Sequence, residues 1–311
     1  LSKGTVVFHS YIKSHLLVLL STVFVAASFL ASEKLAGIIH PVSLTLLRFI
    51  ISALILLPFV LWKREHRKKV ISTFPRASVI SLFYSLYFIL FFESLKTTTA
   101  LNTGTLYTLA PFLTALLSML FFREETSFKR LVVYLIGAAG TCWVIFRGDL
   151  QLFLSFSLNR GDLVFLVGIF SMCCYSISMK QLYRKDNMIV LVFCTLLGGS
   201  MWMGLAMVFF QLPLQWHLLK GEHFAYLGYL AVFATLGSSY LLQKTVVVLG
   251  PGRVSAYSYL NPAFVALILL LVGGVSIPMA VVPGIVLSTL ATVFLQFQPT
   301  VIPLAQPDSS E

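Results

Sequence analysis

The stretch from Leu101 to Phe122 reads Leu-Asn-Thr-Gly-Thr-Leu-Tyr-Thr-Leu-Ala-Pro-Phe-Leu-Thr-Ala-Leu-Leu-Ser-Met-Leu-Phe-Phe. It is long and apolar enough to cross a bilayer as a helix, yet it carries a proline near its middle. A second version lies 151 positions on, from Pro111 to Pro262, where Tyr257-Ser258-Tyr259-Leu260-Asn261-Pro262-Ala263-Phe264 leads into Val265 to Leu271. Each copy opens on small and hydroxyl-bearing residues, reaches its proline and continues as bulky aliphatic helix. A chain that repeats its most peculiar helix at half its length is expected to consist of two halves.

The solvent of both halves follows from composition. Hydrophobic residues make up 58% and charged residues 11% of the 311, against roughly a quarter charged in a soluble domain, and the mean hydropathy is +0.93. This is the composition of an all-α polytopic membrane protein. The net charge of +11 does not point to nucleic acid, because the basic residues fall between apolar segments instead of gathering on one face. Ten spans are expected, at roughly Leu16 to Ala31, Ser43 to Trp62, Pro75 to Leu95, Leu101 to Phe122, Leu131 to Phe146, Asp162 to Lys180, Met188 to Phe210, Phe224 to Lys244, Val254 to Gly273 and Ala280 to Gln296. Lys3 and Lys13 before the first run also suit a signal peptide, but similar runs continue to the end of the chain and favour a retained helix. Residues 1–147 then form a first repeat, 160–296 a second, and 297–311, with three prolines and a polar end, a mobile cytoplasmic tail.

Charge placement orients these spans. With the N-terminus inside, sixteen Lys and Arg residues fall on the cytoplasmic side and five (Lys34, Lys96, Arg147, Arg160, Lys220) on the other, with Arg48 inside a span. Short loops make that split an orientation signal, and it puts both termini in the cytoplasm. Five spans per half make the second half enter from the opposite side, so the halves are expected to be inverted-topology repeats. Such repeats build a midplane site that opens to alternate sides, which favours transport.

Polar and aromatic residues within the spans are the candidates for that site. Tyr84, Tyr87 and Phe91 share one face of the third span, as a cavity wall or as interhelical packing. Asn102, Thr103, Thr105, Tyr107 and Thr108 precede Pro111, and Ser255, Tyr257, Ser258, Tyr259 and Asn261 precede Pro262. Each proline frees the carbonyl four residues earlier, which must then find a neighbouring hydroxyl or face a polar cavity. Arg48 and Glu93 are the costliest side chains in the spans. Arg48 suits compensation of Glu93 or Glu33, a carboxylate substrate, or a snorkelling or capping role; Glu93 suits a proton site, against which its position near the interface counts.

Other chemistry is sparse. Cys142, Cys173, Cys174 and Cys194 have no metal-ligand spacing and read as packing residues, and the six histidines scatter near span ends and loops. There is no HExxH, phosphate-binding glycine loop or GxSxG. No catalytic residue, metal or cofactor is expected, and a lipid-modifying enzyme or a scaffold is the alternative class. Gly137 and Thr141 in the fifth span, with Gly284, Ser288 and Ala291 in the tenth, fit close helix contact within one chain or in a homodimer.

Several stretches in order resemble the drug/metabolite transporter superfamily, specifically its EamA-type ten-helix members. They are His40-Pro41 with Leu47-Arg48-Phe49, Leu109-Ala110-Pro111-Phe112, Phe122-Arg123-Glu124-Glu125, Gly137-Ala138-Ala139-Gly140, Gly161-Asp162-Leu163 with Tyr175-Ser176, and Leu260-Asn261-Pro262. The family's acidic residue after each proline helix is matched by Glu124 or Glu125 but not in the second half, which reads Gly273-Gly274-Val275-Ser276-Ile277.

The resemblance implies a cavity lined by spans one, three, four, six, eight and nine, with five and ten as support. Carried onto this sequence it points to Tyr84, Tyr87, Asn102, Tyr107, Tyr175, Tyr257, Tyr259 and Asn261 as substrate-binding candidates, with Ser176 and Tyr240 behind them and Pro111 and Pro262 as helix breaks. It further implies a secondary transporter of the bacterial inner membrane that exports small organic solutes such as amino acids or aromatic compounds. Uptake or exchange of S-adenosylmethionine-like or choline-like solutes is the alternative within the family.

Overall fold

The computed structural model of the protein describes residues 3–35, 37–98, 100–123, 127–156, 158–273 and 276–297. The expected tail beyond Phe297 and the acidic pair Glu124 and Glu125 lie outside them. Among the described residues ten helices are long and apolar enough to span a membrane. The first half comprises α1 (Lys3–Leu35), α2 (Pro41–Trp62), α3 (Arg64–Ser94), α4 (Ala100–Tyr107), α5 (Ala110–Phe122) and α6 (Phe128–Ile145). A short α7 (Leu150–Leu154) links it to the second half, made of α8 (Arg160–Leu182), α9 (Met188–Phe209), α10 (His223–Tyr229), α11 (Ser238–Leu249), α12 (Pro251–Ala256), α13 (Asn261–Gly273) and α14 (Val282–Phe297). The protein is therefore an all-α polytopic membrane protein whose ten spans form two five-helix inverted repeats.

Local chemistry sets most helix ends. His40 caps α2 by accepting the Val42 N–H, Ser127 caps α6 by accepting that of Arg130, and Asn187 caps α9 by accepting that of Ile189. Burial, with Lys96 nearby, holds the His40 imidazole below its ordinary pKa, so the ring stays a neutral acceptor. α8 opens on a full capping box between Asn159 and Asp162. One residue, Gly250, joins α11 to α12; its φ of 86° suits glycine, and Pro251 starts the next helix without needing a donor.

Three spans depart from straight α-helix. The fourth is broken where Pro111 enters α5: Thr105 O accepts both the N–H and the hydroxyl of Thr108, and Leu106 O accepts the Leu109 N–H. The ninth passes through a 3-10 turn at Tyr257–Leu260 between α12 and α13, just before Pro262. The eighth widens into a π-helix over Leu230–Gly237, between α10 and α11, a feature not legible in the hydrophobic pattern.

Helix pairing follows from the inverted architecture. A pseudo-twofold exchanging the halves carries span one to six, two to seven, three to eight, four to nine and five to ten. Pairs α2 with α9 and α6 with α14 then map onto themselves, and both are packed. The same operation turns α3 against α8 into α11 against α1, and both of these also pack. Small residues permit the approach. Phe49 lies over Gly199, Ser81 meets Gly198, and the Leu90 side chain meets Gly168. The backbones of α6 and α14 touch at Gly140 and Gly284, so the small-residue faces of spans five and ten meet within one chain.

Two acidic residues tie the halves together at opposite ends of this packing. Buried Asp162 accepts from the Thr98 hydroxyl, from Asn102 Nδ2 at 3.0 Å and from the Asn159 N–H at 2.8 Å. Asp186 takes a two-pronged bond from Arg76, 2.9 Å on each oxygen, while Arg76 also donates to Leu182 O at 3.0 Å.

Candidate functional site

α2, α3, the end of α4, α8 and α11 converge on an aromatic centre. Phe49 stacks on Tyr84 at 5.6 Å, and Tyr84 stacks on Tyr175 at 4.7 Å between ring centroids. Tyr87 lies 6.0 Å from Tyr107 and 6.1 Å from Phe91, extending the group toward the fourth span. Tyr84, Tyr87, Tyr107 and Arg48 are only partly buried and each keeps some surface accessible within this cluster. A cluster of partly accessible aromatic and polar side chains between helices is the kind of lining that a solute site requires.

Arg48 belongs to this lining. Its Nε donates to Thr235 Oγ1 at 3.0 Å, and Thr235 stands in the π-helical segment. Ala231 O in that segment accepts the Ser52 hydroxyl at 2.8 Å, and that hydroxyl also lies 2.7 Å from Arg48 O. Arg48 and the π-helix thus fix each other through two polar contacts. Tyr84 lies close to Arg48, and α11 brings Ser239 and Gln243 to the same region. Gln243 is 1% exposed and neither of its amide atoms makes a formed hydrogen bond.

Of the residues the sequence points to, Tyr84, Tyr87, Tyr107 and Tyr175 come together here. Others are placed elsewhere. Asn102 donates to Asp162. Tyr257 shares a 2.8 Å hydrogen bond with His15, whose ring packs edge-on against Tyr11. The Tyr259 hydroxyl donates to Tyr134 O at 2.7 Å, with its ring against Gly137 between α6 and α14. Asn261, next to Pro262, keeps a buried Oδ1 without a partner. Glu93 is exposed and pairs with Lys96 at 2.7 Å, so it does not compensate Arg48. Among the described residues, no group of three or more His, Cys, Asp or Glu could hold a metal.

Sequence reasoning passed over Thr235, Ser239 and Gln243. Their spacing of four, which repeats one face of a helix, was the available signal. In an apolar span each of the three looks like an ordinary small or interfacial residue, and only the π-widened turn shows why Thr235 matters.

Comparison with known proteins agrees with this architecture. The model of the EamA-like transporter family matches residues 12–146 and again 159–297. The chain is 26% identical to an uncharacterized transporter of Archaeoglobus fulgidus over 258 residues, covering 82% of this chain and 87% of that protein. It is 21% identical to the uncharacterized transporter YyaM of Bacillus subtilis over 268 residues, covering 85% and 87%. A solved crystal structure shares the fold, with a TM-score of 0.70 at 19% identity over 90% of this chain and 95% of that one.

Proposed function

Because the chain belongs to the EamA-like transporter family, and so is a multi-pass membrane transporter, we propose that it is a secondary carrier of small organic metabolites, such as amino acids or aromatic compounds, working by alternating access. The observation that carries this reading is the cluster of partly accessible side chains Arg48, Tyr84, Tyr87 and Tyr107 in the first half, stacked through Tyr84 on Tyr175 of the second. Aromatic rings offer stacking area, phenols offer hydrogen bonds, and the breaks at Pro111 and Pro262 let half-helices on both sides of the pseudo-twofold move. The sixteen to five division of basic residues supports a bacterial inner-membrane orientation with both termini cytoplasmic. The outward direction rests on the family resemblance, and an unpaired Arg48 in the lining counts against choline-like cations.

Counterflow in proteoliposomes tests this reading, using the full chain and a panel of amino acids, nucleoside derivatives, quaternary amines, organic acids and aromatic drugs. Saturable counterflow of at least one solute class is expected. Tyr84→Phe keeps the ring stack and removes one hydroxyl, so the half-saturating concentration of that solute should rise about 3- to 10-fold, the worth of one hydrogen bond. Absence of counterflow across the panel, or binding without exchange, would replace the carrier by a receptor or scaffold.

A further inference from the structure

Arg48 carries the one positive charge identified in the lining, and among the described residues no counter-ion stands beside it. Among the described residues no carboxylate lies within ion-pair distance of it: Glu93 pairs with Lys96, Asp186 with Arg76, and Asp162 is committed to its cap and its two partners on α4 and its approach. Its hydrogen bond to Thr235 uses Nε alone. A guanidinium has five N–H donors in a planar fork, so the two terminal nitrogens are left to meet something else. An unpaired charge enclosed by protein within a membrane span is costly. The fixed link from Nε to the π-helix keeps the fork from turning away.

From this geometry we infer that the site takes an organic carboxylate anion with an aromatic or planar apolar body, its carboxylate held by the terminal nitrogens of Arg48 and its body against the Tyr84 and Tyr107 rings. The inference rests on the carrier reading and narrows its substrate class. The forked guanidinium matches two carboxylate oxygens at once. Tyr84 faces Arg48 and stacks on Tyr175. The described lining offers no carboxylate to an ammonium group. A zwitterionic amino acid would therefore satisfy one of its charges and strand the other, and an amine would meet Arg48 with like charge.

Four compounds with one carbon skeleton separate these cases: phenylpropanoate, phenylalanine, phenylpropylamine and phenylpropanol, as anion, zwitterion, cation and neutral molecule. Binding of each to the purified full chain is measured by quenching of intrinsic fluorescence, and by competition where quenching is small. The expected order places phenylpropanoate first, at least about 10-fold tighter than phenylpropanol, with phenylalanine weaker than the acid and phenylpropylamine weakest. In Arg48→Gln the acid should lose about 10- to 100-fold and fall to the level of the alcohol, while the alcohol is unchanged.

Thr235→Val keeps the charge and frees the fork to turn, so it should weaken the acid by a smaller factor. It serves as the second variant if Arg48→Gln does not fold. Equal binding of acid and alcohol, preference for the amino acid or the amine, or an acid preference that survives both substitutions would overturn the inference. So would failure of all four compounds to bind. In each of these cases counterflow of any other member of the broader panel would leave the carrier reading standing, whereas failure there removes both.

Discussion

Gly140→Val should abolish or severely weaken the packing of α6 on α14. A Cβ at Gly140 would lie 2.8 Å from Ser288 N and 3.0 Å from Gly284 O, both backbone atoms, and 3.0 Å from the Leu287 Cβ. From the other side, a Cβ at Gly284 would lie 2.7 Å from Gly140 O. No flexible side chain can yield here, so one helix must move off the other. Overpacking of this kind costs about 1–3 kcal/mol and at times more. In a bilayer, where lipid is as apolar as leucine, close van der Waals contact is a main source of helix association. The readout is thermal unfolding in detergent, followed by reaction of a thiol-sensitive dye with the native cysteines. Cys142 sits on α6 itself, 3.4 Å from Thr108 Oγ1, and Cys173 and Cys194 are buried. Gly140→Val should react at markedly lower temperature than the parent, and Gly204→Val, at a glycine with open space around its missing Cβ, should not. Equal midpoints for parent and Gly140→Val would refute the close contact.

The second large effect is expected at Asp162. Its carboxylate is 0% exposed and serves three donors at once, the Thr98 hydroxyl, the Asn102 amide and the Asn159 N–H. Asp162→Ala strands all of them, and hydrogen bonds to a buried charged group are worth about 1.5–3 kcal/mol each, so a loss of about 3 kcal/mol or more is expected even with incomplete additivity. Asp162→Asn keeps the shape but turns one acceptor into a donor. With its Oδ1 toward the Asn102 amide and the Asn159 N–H and its Nδ2 toward Thr98, whose hydroxyl can turn to accept, the asparagine keeps the partners but loses the charge that strengthens them. The order of unfolding temperatures should therefore be parent, then Asp162→Asn, then Asp162→Ala. An alanine variant as stable as the parent would show that the link between α4 and α8 carries nothing.

Much of the fold was legible because hydrocarbon imposes a length on every span and a cost on every free backbone group. The ten apolar runs, the interruption at Pro111 and the second at Pro262 all follow from that constraint. The short α7 was passed over because five residues, Leu150–Leu154, are too few to form a spanning run. The π-helix was hidden for another reason: Leu230–Gly237 is uniformly apolar or small, and its widened turn answers Ser52 and Arg48 on a different helix, a tertiary cause that local sequence does not carry.

The candidate site divides along the same line. Tyr84 and Tyr87 were legible by helical spacing, and Tyr107 and Tyr175 by place in the family pattern. Asn102 and Tyr259 show how a polar residue in a span can be spent on packing instead. Asn102 answers a carboxylate that caps a helix in the other half, and Tyr259 fills the hollow that Gly137 leaves. Compensation by Glu93 was one of several roles that charge alone left open to Arg48. Glu93 lies one turn from Lys96 at an exposed helix end, and that local partner suffices.

The account turns on an enclosed site that opens to each side of the membrane in turn. The direct measurement is two-sided labelling of Tyr107→Cys, in a chain whose four native cysteines are replaced by alanine, reconstituted in proteoliposomes of known orientation. A membrane-impermeant thiol reagent is applied outside only, or trapped inside only. The account predicts modification from both sides, each at a rate below that of an exposed control such as Ser72→Cys on its own side. Modification from one side alone, under every solute condition tried, would contradict alternating access and leave the aromatic centre a one-sided pocket.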